Sequence, residues 1–403
     1  MTKIAWKLRR YFPSSVDVTT SVMSFSYTQG RQNYLDNYGG GSLTVTLNNQ
    51  TNVAQYFTFN SYWILAEDDT GSEQTFWCQN VVFNDYPGNT GLSTITVTLV
   101  DVLARNGRNV VTDHFMGEID VVNQVAGLFS LFGYEIGDLQ GSIGTTVAAA
   151  TTYTGSMLNY FNLGCATERG FVSFFDDTVF FAAHNSVAGK VSGFSFTRNA
   201  TSATSISYYA INHNKAGINF MNNVTVSPDS LAPQTAINTN SFFTYGNAQQ
   251  TVSTINAQTS QALGLAQWLS NVQADPEAER WEVSFQDISQ DQTITELFVE
   301  TLMNELGRFR RFWDLVYRVP GAGSDTTVRV LIEGISMDAT PEKTDFTVYF
   351  SPATYYQYFV LDDSIFGVLG GNGITYNQPE IGYDENGWIY NDANVEQGSR
   401  LGW

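Results

Sequence analysis

Residues 24–48, SFSYTQGRQNYLDNYGGGSLTVTLN, decide the fold, because they hold one strand, a sharp break and a second strand. After the break, Leu43, Val45 and Leu47 alternate with Ser42, Thr44, Thr46 and Asn48, the period of two that turns one face of a strand to a core and the other to water. Between the strands lie Gly30-Arg31, a polar and aromatic excursion from Tyr34 to Tyr38, and Gly39-Gly40-Gly41, which permits backbone angles closed to other residues. The expectation is an exposed loop leaving a barrel or sandwich. The glycine run leads into a strand, with no helix start and no lysine beside it, so it offers no helix N-terminus to a phosphate.

Working outward, residues 74–101 give a second pair. Phe76, Cys78 and the run from Val81 to Phe83 form one strand, Pro87-Gly88 marks a turn, and Ile95, Val97 and Leu99 alternate with threonines on the return. Helical spacing then takes over. Ile119, Val122, Ala126, Phe129 and Phe132 make one stripe, and Ser156 caps a helix carrying Met157, Leu158, Phe161 and Leu163. Glu168-Arg169-Gly170 leads into a hairpin that turns at Asp176-Asp177. Strands follow at 205–211 and 223–227, then the 241–246 stretch, then a helix capped by Thr259 or Ser260 that buries Ala262, Leu265, Ala266, Leu269 and Val272 and stops at Pro276. A strand with Trp281, Val283 and Phe285 on one side precedes a second stripe, Ile294, Leu297, Phe298, Leu302 and Leu306, and a long hairpin of residues 309–319 with 327–334.

The composition excludes several classes. At 403 residues the chain exceeds the limit of about 250–300 for a single core, so two or more domains are expected. A formal charge of −20 argues against tight binding to a phosphate backbone, which needs clustered Lys and Arg. Cys78 and Cys165 fit no zinc spacing and are expected as small buried hydrophobes. The basic start, with Lys3, Lys7, Arg9 and Arg10, has no apolar region or cleavage site of a secretory signal, and no run long enough to span a membrane occurs. It is expected as a solvated edge strand, and the group Arg308, Arg310 and Arg311 as a solvated strand face. The expected product is soluble and folds in a cytoplasm.

There is also an internal repeat. Residues 328–350, VRVLIEGISMDATPEKTDFTVYF, follow the plan of residues 76–99: apolar strand, polar turn with one proline, alternating strand. The fold class expected is mainly β with minor α, with two similar antiparallel β domains carrying helical additions.

The ordering of Gly30-Arg31, the strand after Gly41, the 76–101 hairpin, Glu168-Arg169-Gly170 and Asn222-Asn223 resembles the tail-tip hub, or minor tail, proteins of long-tailed bacteriophages, related in fold to the baseplate hub of contractile tails. Tyr245-Gly246, Glu333-Gly334-Ile335, and Leu361-Asp362-Asp363 with Gly367 complete the set. The resemblance implies two tail-tube-like β-barrels in one chain. The first would span 1–105 and the second 205–256 with 309–365; a helix-and-hairpin accessory domain would fill 106–204, an inserted helix-strand-helix domain 257–308, and an extension 366–403. It further implies a homotrimer in the virion, meeting the tail tube or distal-tail ring, tip or fibre proteins and the tape measure protein, with DNA passing unheld through a channel. Such a lumen would be lined by Asp, Glu, Asn and Thr, with the basic residues facing elsewhere.

No cofactor or metal site and no enzymatic activity is expected. The sequence has no HExxH, no G-x-S-x-G elbow and only His114, His184 and His213. Glu168, Asp176 and Asp177 are expected to form turns rather than a glycosidase pair. The alternatives are a receptor- or carbohydrate-binding virion protein and a hexameric distal-tail protein. For the loop of residues 29–41 the expectation is a contact between β domains, with Arg31→Glu leaving the monomer folded.

Overall fold

The computed structural model describes residues 4–32, 34, 36–67, 73–86, 90–132, 146–175, 178–182, 191–200, 202–214, 220–274, 280–289, 302, 311–319 and 321–356. In chain order the strands are β1 (Trp6–Phe12), β2 (Val16–Asp17), β3 (Val22–Gly30), β4 (Ser42–Asn48), β5 (Tyr62–Glu67), β6 (Glu73–Asn84) and β7 (Thr94–Val100), followed by helix α1 (Val102–Asn106). Next come β8 (Val110–Met116), β9 (Ile119–Asp120), α2 (Val121–Ser130), β10 (Val147–Ala148), β11 (Thr151–Ser156), α3 (Met157–Glu168), β12 (Phe171–Phe175) and β13 (Thr178–Ala182). The second half holds β14 (Val191–Thr197), β15 (Ser205–Ser207), β16 (Ala210–Asn214), β17 (Asn223–Pro228), β18 (Gln234–Ile237), α4 (Thr239–Tyr245), β19 (Gln249–Thr254) and α5 (Thr259–Val272). It ends with β20 (Arg280–Gln286), β21 (Phe312–Tyr317), β22 (Thr326–Ala339) and β23 (Thr344–Pro352).

The expected alternation holds where it was clearest. Leu43, Val45 and Leu47 are buried, and β4 runs antiparallel between β3 and β7, with Leu47 opposite Val22 and Ile95. The 76–101 hairpin is β6 with β7, and the repeat is β22 with β23. Both hairpins belong to one 14-stranded sheet, in the order β15-β14-β21-β22-β3-β4-β7-β6-β5-β1-β2, with β23, β20 and β16 branching from β22. The seam is β22 against β3, where Gly334 faces Gly30 and Met337 faces Tyr27. One hydrophobic core runs across it, from Trp63 and Phe76 to Trp313, Phe346 and Phe350.

Strand pairing divides the chain differently from the expected boundaries. β14 lies within the range expected for the accessory domain, yet it pairs with β21 in the main sheet. Residues 223–254, expected in the second barrel, form their own sheet β18-β17-β19, packed under α5 through Val224, Val226, Leu265 and Leu269. The helical stripe beginning at Ile119 also shifts: Asp120 caps α2 by accepting from Asn123 N, Ile119 lies outside the helix, and the buried face is Val121, Val122, Val125, Leu128 and Phe129. Ser156 caps α3 as expected. Thr259 and Ser260 are helical positions of α5, which begins after Gln258 without a side-chain cap. Of the stripe from Ile294 to Leu306, only Leu302 falls among the described residues, and it is buried.

Among the described residues no helix is long and apolar enough to cross a membrane. Both cysteines are buried, and burial pushes the Cys78 thiol up to about 11.

Candidate functional site

Gly30, Arg31 and Gly334 come together where the two hairpin systems join. At the end of β3, Gly30 takes φ +84°, and a Cβ there would stand 2.3 Å from the Glu333 carbonyl oxygen. Gly334 is its mirror: a Cβ would stand 2.6 Å from the Arg31 carbonyl oxygen. Only hydrogen fits at either position, so the backbones close to contact, and Arg31 N donates to Glu333 O at 3.1 Å.

This contact carries a buried ion pair. Arg31 Nε donates to Glu333 Oε2 at 2.7 Å, and the guanidinium lies over the rings of Tyr38, Tyr34 and Phe171 at 4.5, 5.2 and 6.0 Å. The expectation of an exposed loop is therefore corrected, because Arg31, Tyr34 and Tyr38 are buried. A loop that carries one cation into the interior needs the Glu333 carboxylate there to meet it. With Glu333 facing Arg31 in the interior, Arg31→Glu is now expected to destabilise the monomer.

Other parts of the chain converge on the same place. Arg169, the left-handed C-cap of α3, lies over the Trp268 ring of α5 at 4.5 Å, and Tyr34 meets Trp268 at 5.7 Å and Tyr355 at 5.6 Å. Tyr34, Phe171, Phe312, Leu331 and Tyr355 form one small core, with Trp268 packed on it. Glu168 is buried at the end of α3, and Gly170 N bonds back to Cys165 O at 3.0 Å. Glu168 is thus the last residue of a helix and not part of a turn; Asp176, Asp177 and His184 lie outside the described residues.

The glycine run has its own partner. A Cβ on Gly41 would stand 2.1 Å from Asp101 Oδ2, and one on Gly40 2.2 Å from Ala104 Cβ. Asp101 caps α1, accepting from Ala104 N at 2.7 Å, and is fully buried; burial pushes its carboxyl up to about 8 against the pull of hydrogen bonds from Ala104, Gly41 and Leu103.

Asn222 and Gly246, 24 residues apart, also meet. The buried Asn222 amide donates to Ser241 Oγ at 3.1 Å and Gly246 O at 2.7 Å and accepts from Ala248 N at 2.9 Å, which pins α4 to the start of β17. Asn223 donates to Asn247 Oδ1 at 3.1 Å, while Tyr245 is exposed. Leu361, Asp362 and Gly367 lie outside the described residues.

Of the early basic group, Lys3 lies outside the described residues, and Lys7, Arg9 and Arg10 lie on β1, near the edge of the main sheet with only the two-residue β2 beyond it. β1 pairs with β5 and β2, Arg9 is 3.4 Å from Asp17, and Arg10 is buried, donating to Ser14 O and Tyr56 O at 3.0 Å each. Of the later group, Arg311 is half-buried, and Arg308 and Arg310 lie outside the described residues.

The arrangement is chemically that of a fastening. Among the described residues no three His, Cys, Asp or Glu side chains come together to hold a metal. A cleft of about 670 Å³ is lined by His213, Trp281, Tyr317, Arg280, Arg318 and Glu282, but its rings pack on one another, His213 on Trp281 at 5.4 Å, and Arg318 is engaged with Asp325 at 2.7 Å. Sequence reasoning missed Glu333 as the partner of Arg31, and also Asp101 and Trp268. Only Asp101 carried a local signal, a cap residue just before the helical Val102-Leu103.

By sequence the chain matches no family model and no curated protein. By structure it is similar to the 43 kDa tail protein of prophage MuSo2 from Shewanella oneidensis, at 11% identity and a TM-score of 0.56, over 88% of this chain and 98% of that one. It is also similar to a tail protein from Neisseria meningitidis MC58, at 8% identity and a TM-score of 0.58, again over 88% of this chain and 98% of that one. The chain has the mainly β fold of these tail proteins, and the resemblance expected from its motifs holds at the level of fold.

Proposed function

We propose that the chain is a structural component of a bacteriophage tail and acts as the hub of its tip. Three copies form a ring that joins a sixfold tail tube or distal-tail ring to threefold tip or fibre proteins, beside the tape measure protein. The observation that carries this reading is the seam: two repeated hairpin systems are fused into one sheet at β3 and β22 and locked by Gly30, Gly334 and the Arg31–Glu333 pair, in a fold shared with tail proteins. A rigid pair of similar β units, copied three times, presents six units around an axis, which is how a threefold object meets a sixfold one. The motif residues then act as structural pins and not as reagents, and the chain works in the virion without enzymatic activity of its own.

The hairpin of β6 and β7 is the proposed contact between neighbouring β units, since Phe83, Tyr86 and Leu92 at its tip are exposed. The surplus of 39 acidic over 19 basic residues supports a channel that DNA crosses without being held. An image of the particle averaged down the tail axis tests the reading. Three copies around an open axis, each giving two lobes, are expected. Six copies would assign the chain to the distal tail, and an isolated copy at the periphery to receptor or carbohydrate binding.

A further inference from the structure

The two hairpin systems repeat in register as well as in pattern. β6 passes β7 through a bulge between Cys78 and Asn80, and β22 passes β23 through one between Ile332 and Gly334. With the bulges aligned, Val81 takes the place of Ile335 and Phe83 that of Met337, and their partners Val97 and Val348 coincide. The next strands follow suit. Val45 of β4 lies opposite Val97 and Val283 of β20 opposite Val348, and beyond them come Phe25 of β3 and Ile211 of β16. So β6, β7, β4 and β3 of the first unit correspond to β22, β23, β20 and β16 of the second.

Only half of the edges so matched are used within the chain. Residues 334–339 of β22 run on past β21 and pair with β3, which makes the seam. Residues 79–84 of β6 run on past β5 in the same way, and among the described residues no strand pairs with them on that side. β16, the counterpart of β3, pairs with β20 and with no other described strand. Phe83 is exposed where its counterpart Met337 is buried, and a cleft of about 670 Å³ runs along β16 with Ile211, Asn212 and His213 in its wall.

We infer that residues 79–84 of one copy add as a strand to β16 of the next, repeating between copies the seam that β22 and β3 make within one. The inference rests on the proposed ring and gives its hairpin contact a receiving strand. The register follows from the seam. Met337 faces Tyr27 and Asp338 faces Ser26, so Phe83 faces His213 and Asn84 faces Asn212 of the next copy. Strand addition satisfies the open backbone groups of both edges. One edge lies on each unit and the two differ, so the contact runs head to tail and closes as a ring. Neither residues 79–84 nor residues 210–214 include an Asp, Glu, Lys or Arg, so copies of formal charge −20 meet here without stacking like charges. Gln79 holds the place of Glu333, so the joint between copies lacks the buried ion pair that locks the one inside each copy.

The test combines Asn84→Cys with Asn212→Cys in the full chain, under mild oxidation, beside each single variant and the pair Val82→Cys with Asn212→Cys. Facing residues of antiparallel strands stand about 5 Å apart, within reach of a disulfide, and diagonal ones about 7–8 Å apart, beyond it. Mass photometry of the wild type is expected to give three copies. On a non-reducing gel the in-register pair should move from the one-copy to the three-copy band and return on reduction, while the diagonal pair and the single variants stay at one copy. A three-copy wild type whose in-register pair links no better than the diagonal pair overturns this inference and leaves the ring reading standing. A one-copy wild type overturns the ring reading and this inference together. A linked product that stops at two copies also overturns the inference, because it marks a symmetric pair in place of a head-to-tail ring.

Discussion

Arg31 and Glu333 are 302 positions apart in the chain and form a buried ion pair at 2.7 Å, with 6% and 0% of their side chains exposed. The pair sits where β3 and β22 run together, so it couples the first hairpin system to the second. Its charges are out of reach of water, and each depends on the other.

Replacing Arg31 with Glu is expected to unfold the seam rather than to spare the monomer. Removing one partner of a buried pair costs about 3–5 kcal/mol, and a second carboxylate facing Glu333 adds repulsion. Urea denaturation should show a large fall in midpoint or no folded protein. Arg31→Met combined with Glu333→Met should be far milder than Arg31→Glu; equal losses would mean that charge is not what the pair contributes.

Glycine to alanine exchanges separate the seam from the rest of the chain. Gly30→Ala forces a side chain into φ +84° and onto a backbone oxygen at 2.3 Å, and Gly334→Ala meets one at 2.6 Å. Strained backbone alone costs about 1–3 kcal/mol, so Gly30→Ala should lose at least that much, while Gly334→Ala should be destabilised by the clash with the Arg31 backbone. Gly264→Ala, in α5 with open space where its Cβ would go, should instead gain up to about 1 kcal/mol. Thermal melts of the three variants decide the matter, and a tolerated Gly30→Ala would mean that the seam is looser than drawn.

Leu47→Asp tests the strand that made the fold legible. Leu47 is fully buried in the core shared by both hairpin systems, and an unpaired carboxylate there costs several kcal/mol, about the margin of a typical domain. Soluble expression should collapse, whereas Thr46→Asp, on the half-buried face of the same strand, should be recovered folded.

How far the sequence could be read follows from which interactions are local. The alternation of Leu43, Val45 and Leu47 and the cap at Ser156 arise within a few residues, and both stand in the structure. The excursion from Arg31 to Tyr38 looked like a solvent loop because polar residues and glycines dominate it, but its environment is set by Glu333, Trp268 and Tyr355, which no local period announces. The same limit hid the seam. Two hairpins with the same pattern announce a repeat, yet nothing in either says that β3 and β22 will pair into one sheet.

Asp101 is buried at the N-terminus of α1, and burial raises its carboxyl from near 3.8 to about 8. Between those values the folded chain holds a proton that the unfolded chain releases, so this group's contribution to stability is complete below pH 4 and is lost as the pH rises toward 8. A whole proton of difference is worth about 1.4 kcal/mol per pH unit, which is large against an ordinary domain stability. Tyr27 is the other titrating neighbour; its hydroxyl is raised well above its usual range by burial and by Asp101, so it stays neutral across this window. Asp101→Asn keeps an oxygen to accept from Ala104 N and cannot ionise, so it should flatten the decline. Melting temperatures of wild type and variant, measured from pH 5 to pH 8, should converge or cross as the pH rises, with the wild type falling faster. Parallel curves would mean that Asp101 is ionised in the fold, and that Gly41 and Ala104 hold a carboxylate rather than a carboxylic acid.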